Sequence, residues 1–90
     1  MKPLGHLMTH FRLVSCMARA VGVDPETARA AGALSQRAWA DMVQTCRRCG
    51  WEGCEDWLNK HETAEHPPEA CPNAARILSM RGRVARLQEA

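Results

Sequence analysis

The sequence predicts an all-α fold: a small bundle of four to five short helices stapled by a four-cysteine metal centre. Three observations carry that expectation. Apolar residues recur at three- and four-residue steps along most of the chain, the spacing of helices with one buried face. Aromatic and β-branched residues are few, with three Trp, one Phe and no Tyr, while Ala and Arg are common; that balance favours helix over strand. Four of the five cysteines fall within 26 residues of a 90-residue chain, and a chain this short gains much from a covalent or metal staple.

The elements follow in order, read as one domain over residues 1–90. The first helix is expected from Leu4 or Gly5 to Val21, its stripe formed by Leu7, Phe11, Val14, Ala18 and Val21 and widened by Met8 and Met17. Gly22 is its stop. Asp24-Pro25-Glu26 then supplies a cap, a proline at the first helical position and an acid in the first turn. A short helix is expected from Pro25 to Ala31, ended by Gly32. Ser35 caps the third helix, which runs from Gln36 to Cys46 or Arg48 and buries Trp39, Met42, Val43 and Cys46. Gly50 stops it. Cys54 opens a fourth helix with Glu55 and Asp56 in its first turn, where the helix dipole favours anions, and with Trp57 and Leu58 buried. His66-Pro67-Pro68 breaks the chain. Pro72 starts the last helix, whose stripe is Ile77, Leu78, Val84 and Leu87, with Ala74 and Arg81 at the same spacing.

The charge is nearly balanced, with 12 basic and 10 acidic residues for a net +2, too weak by itself to argue for nucleic acid. It is unevenly placed. Six acids stand between Glu52 and Glu69 against Lys60 alone, and the last helix carries Arg76, Arg81, Arg83 and Arg86 against Glu89. No targeting or membrane segment is expected, because Gly5, His6, His10, Arg12 and Arg19 interrupt the apolar residues of the N-terminal stretch. The reading is cytoplasmic, a compartment in which clustered cysteines signal metal or redox chemistry more often than structural disulfides.

The cysteines are spaced Cys46-x2-Cys49-x4-Cys54-x16-Cys71. A C-x2-C pair at a helix end makes a bidentate clip, and Gly50 lets the backbone turn back toward it. Cys54 and Cys71 both precede or open helices, where the dipole is expected to lower a thiol pKa. The fourth helix carries the chain away by roughly 15 Å and the extended loop from Ala64 to Glu69 spans about 20 Å, so Cys71 can return. Four thiolates suit a closed structural zinc site. They also suit an iron–sulfur cluster, whose motifs often end in Cys-Pro as Cys71-Pro72 does. A metal-free dithiol–disulfide switch is a further reading of the same spacing.

The elements Gly32-Ala33-Leu34-Ser35, Cys46-x2-Cys49-x4-Cys54-x2-Trp57-Leu58 and Cys71-x-Asn73-Ala74 resemble a family of small cysteine-rich proteins of unknown function from alphaproteobacteria. The resemblance covers most of the chain from the first helix onward. It carries no activity across. It implies that the four cysteines, Trp57, Leu58 and Asn73 form one unit.

Other signals have plainer readings. Cys16 lies mid-helix and reads as a core or surface thiol. His6 and His10 stand four apart without a third ligand nearby in sequence, and read as solvated or half-buried. His61 and His66 flank the approach to Cys71 and are alternates for a cysteine ligand. Ala28-x3-Gly32 followed by Ser35 resembles a helix-turn-helix whose second helix would present Gln36, Arg37 and Gln44 to DNA, although a simple helical corner has the same signature. The arginines of the last helix read as a solvated face or a partner strip. No nucleophile–histidine–acid set, phosphate-cradling loop or zinc-protease motif occurs, so no enzyme is expected. The expected function is a metal-binding module, zinc favoured, acting through a protein partner. The alternatives are a four-cysteine iron–sulfur protein for electron transfer or redox sensing, and a DNA-binding protein.

Overall fold

The computed structural model describes residues 4–89, and within them every regular element is helical. The helices are α1 (Leu7–Ala20), α2 (Pro25–Ala30), α3 (Gln36–Arg47), α4 (Cys54–Lys60) and α5 (Ala74–Glu89). They pack into a body of 45 × 28 × 18 Å. Helix α1 lies against α3 and α4, and α2 packs against α5.

Local chemistry sets most boundaries. Asp24 accepts from the Thr27 N–H at the start of α2, and Ser35 accepts from the Ala38 N–H at the start of α3. Each cap satisfies a backbone donor the helix itself cannot pair. Helices α1 and α2 end in the same six-residue pattern. Gly22 N–H reaches the Arg19 carbonyl and Val23 N–H the Ala18 carbonyl; Gly32 N–H reaches Arg29 and Ala33 N–H reaches Ala28. The pattern needs a left-handed residue, and Gly22 and Gly32 supply it with φ of 91° and 82°.

The core is built by Val14, Met17, Ala18 and Val21 of α1 and its exit, Ala28 of α2, Leu34, Trp39, Met42 and Val43 around α3, and Ile77, Met80 and Val84 of α5. Three expectations are corrected here. Helix α1 begins at Leu7, and its first turns leave Leu7, Met8 and Phe11 exposed. The stripe has the right period, but periodicity does not tell how far along a helix its neighbours extend. The Phe11 ring stands edge-on to Trp39 with ring centroids 5.7 Å apart. In α4 no residue is fully buried, so Trp57 and Leu58 are half-covered rather than core.

The third correction concerns α5. The chain turns through Cys71–Asn73 before the helix begins at Ala74, with Ala74 N–H on the Cys71 carbonyl. The buried face runs through Ile77, Met80 and Val84; Leu78 is half-buried and Leu87 is exposed. Residues 77, 80 and 84 share one helical face, whereas position 78 is turned about 100° away from 77. Arg81 is not a solvated charge. Its Nη1 donates to the Val21 carbonyl at 3.0 Å and to the Glu65 carbonyl at 2.7 Å. Together with the Ala64 N–H, which donates to the Ala20 carbonyl at 2.8 Å, it fastens the loop that brings Cys71 back.

No helix among the described residues is long and apolar enough to cross a membrane.

Candidate metal centre

Cys46 sits in the last turn of α3, Cys49 in the turn that follows, Cys54 at the first position of α4 and Cys71 in the turn before α5. The fold brings all four to one small cavity of about 30 Å³. Leu13, Val14 and Met17 of α1 contribute apolar wall, and His10, Trp51, Pro72 and Asn73 complete it. All five cysteines are reduced and half-buried. Cys16 is not among the residues of this cavity; it faces a separate groove beside Arg12, Arg19 and Leu58.

Two of the four sulfurs have a backbone N–H placed beside them in the same way. The Trp51 N–H donates to the Cys49 sulfur at 3.4 Å. Beside Cys71 the Asn73 N–H acts to lower the thiol's pKa. In both cases the donor lies two residues after the cysteine, so each turn folds its own chain around its own sulfur. Such donors favour the thiolate over the thiol.

The electrostatics of the metal-free cluster run the other way. Burial, reinforced by the other three thiols, pushes Cys46 up to about 12. Burial and then Cys71, Cys49, Glu55 and Cys16 push Cys54 up to about 11. Burial raises Cys71 as well, against the lowering by the Asn73 N–H. The helix N-termini were expected to lower the pKa of Cys54 and Cys71, and this expectation is corrected. α4 is a single short stretch of seven residues, and its dipole is outweighed by loss of water and by the neighbouring sulfurs. Four negative sulfurs cannot coexist here without a compensating cation.

Among the described residues, no three Cys, His, Asp or Glu side chains are drawn close enough together to hold a metal ion as they stand. The sulfurs line a common cavity without closing on a common point. The donor set nonetheless fits zinc by its chemistry, since four thiols from two turns and one helix start are the ligands of closed tetrahedral sites.

The structure also places residues that the sequence left elsewhere. His10, separated from Cys46 by most of α1, all of α2 and most of α3, brings Nδ1 to 3.3 Å from the Cys46 sulfur. His61 does not line the cavity; it stacks on Trp57 at 4.3 Å and its Nδ1 lies 2.8 Å from the Trp57 carbonyl. His66 is exposed and also outside it. Asn73 is buried at the cavity wall, donating Nδ2–H to the Met42 carbonyl at 2.8 Å, while its Oδ1 has no protein partner. Of the unit suggested by resemblance, Asn73 joins the cysteines, whereas Trp57 and Leu58 pack against the core beside them. No signal in the linear sequence links position 10 to position 46.

The profile of a family of unknown function, DUF6455, matches residues 1–83, and the chain belongs to that family. No curated protein matches it. No solved structure matches it.

Proposed function

We propose that this member of the DUF6455 family is a metal-binding helical module in which Cys46, Cys49, Cys54 and Cys71 hold one ion, zinc in preference, as four thiolates. The observation that carries the reading is the shared cavity: four cysteines from the end of α3, the start of α4 and the turn before α5 line one space. The Asn73 N–H, which lowers the Cys71 pKa against burial, supports the thiolate state there. A cation at this point would offset both the burial that chiefly raises the thiol pKa values and the mutual repulsion that adds to it.

Four protein thiolates leave zinc no open position for a substrate, so the proposed role is structural and is exercised through a protein partner. The apolar residues left open at the start of α1, Leu4, Leu7, Met8 and Phe11, support a protein rather than a nucleic acid as that partner. On α3 the exposed side carries the acid Asp41 as well as Arg37, and Arg47 is engaged with the Gly5 carbonyl and Gln44.

The test is metal analysis of protein purified without oxygen. One zinc per chain in a colourless sample is the expected result. Iron with acid-labile sulfide would replace the reading with an electron-transfer or redox-sensing centre. A folded protein that binds no metal would overturn both.

A further inference from the structure

We propose that His10 is an outer hydrogen-bond donor of the cysteine centre, its Nδ1–H directed at the Cys46 sulfur and holding that thiolate toward the cavity when metal is bound. The inference rests on the metal-thiolate reading and adds to it a residue from another helix.

The geometry is specific. His10 Nδ1 lies 3.3 Å from the Cys46 sulfur, and the imidazole is half-buried at the cavity edge. The other edge of the ring rests on Gly5. A methyl group at that position would overlap Nε2, Cδ2 and Cε1 of the imidazole. Gly5 is itself fixed to α3: its N–H donates to the Arg47 carbonyl at 3.0 Å, and Arg47 Nε donates back to the Gly5 carbonyl at 2.8 Å. Arg47 follows Cys46 directly. One short stretch of α3 therefore carries the sulfur and anchors the seat of the ring that faces it.

The chemistry assigns the direction. A metal-bound thiolate has no proton, so the ring nitrogen is the donor and the sulfur the acceptor. Cys49 receives an N–H from its own turn, and the Asn73 N–H acts on Cys71 from the turn that carries it. Cys46 lies within a helix, where the backbone N–H groups around it are engaged in the helix, and a side chain takes the corresponding place. Hydrogen bonds to ligand sulfurs disperse their charge and fix their orientation, and loss of such an outer partner typically weakens metal binding by about 10–100-fold.

The test compares the parent with His10→Ala, His10→Asn and Gly5→Ala. Asn places an amide N–H near the position of Nδ1, and Gly5→Ala displaces the ring while leaving every candidate donor in the chain. Zinc affinity is read by competition with a chromophoric chelator, and the ligand set by cadmium-113 NMR. The expected result is an all-sulfur cadmium signal in every variant, affinity about tenfold weaker in His10→Ala and Gly5→Ala, and recovery in His10→Asn. Thermal melts of the metal-free proteins should coincide. Equal zinc affinity in all four proteins would overturn the role of His10 and leave the four-cysteine centre standing. A nitrogen-shifted cadmium signal in the parent, lost in His10→Ala, would make His10 a ligand and also overturn it. An affinity loss matched by an equal loss of metal-free stability would mark simple packing. A parent that takes up no zinc would remove the metal reading itself.

Discussion

The two ends of this molecule are held together in different ways. At one end Ala18, Val21, Val23, Ala28, Ile77 and Met80 are almost wholly removed from water. At the other, Cys46, Cys49, Cys54, Cys71, His10 and Trp51 are all half-buried, and α4 has neither a fully buried residue nor a side-chain cap at its N-terminus. An exposed Arg12–Glu55 ion pair joins α1 to α4, and such pairs contribute little. Apolar burial explains the first end. The second contains seven residues of helix with little of its own to hold them, which is the place where a metal would contribute most to folding.

Mutations should separate the ends, the largest effect falling at the core. Ile77→Ala is expected to cost about 2–5 kcal/mol, by the same amount with zinc or with chelator, as measured by denaturant unfolding. Cys71→Ser should behave otherwise. Metal at a hundredfold excess over its dissociation constant adds about 2.7 kcal/mol to a fold that alone binds it. Cys71→Ser should lose most of that increment, Cys16→Ser almost none, and the gap between them should shrink in chelator. Equal losses in the two variants, with zinc affinity unchanged, would remove Cys71 from the ligand set. Among the histidines, His10 would then be the nearest replacement at the cavity, since His61 and His66 lie outside it.

The pH profiles should have opposite signs with and without metal. In the metal-free fold Cys46 and Cys54 titrate at about 12 and about 11, above the ordinary thiol value of 9.0. Groups with raised pKa contribute stability that is complete below the unfolded value and is lost as pH rises through the folded one. Metal-free protein should therefore weaken from about pH 9 upward. Metal-loaded protein should weaken toward acid, because protons compete with the ion for the thiolates. Parallel profiles for the two forms would break the comparison. The smallest effect is expected from Asp24→Ala, which removes the α2 cap for about 1 kcal/mol and should be indifferent to metal.

What was legible in the sequence was local. Asp24, Ser35, Gly22 and Gly32 fix helix ends through bonds to residues within six positions, so α2 and α3 fall within a residue or so of expectation. The four cysteines were legible as a group because their own spacing groups them, although as ligands they remain proposed. Relations between distant segments were not. Leu7, Met8 and Phe11 carry the right period for burial, yet nothing in period encodes the length of the neighbouring helix. Met80 displaces Leu78 because the phase of α5 is set by what it packs on. Arg81 looked like surface charge until two carbonyls, from Val21 and Glu65, were brought to it. His10 lacked a partner in sequence and finds one in Cys46 only after α1 packs on α3.

The fastening of the return loop has a consequence for the order of assembly. Ala64 is tied to the end of α1, and Glu65 is tied to Arg81 of α5; both anchors belong to the well-packed end. Once that end has formed, Cys71 is six intervening residues from a fixed point instead of sixteen from Cys54. By the logarithmic dependence of ring-closure entropy on length, the shorter search is less unfavourable by about 1 kcal/mol. The greasy half of the protein thus acts as a winch for the sulfur half, reeling in the last thiol ahead of any ion that the four proposed ligands would hold.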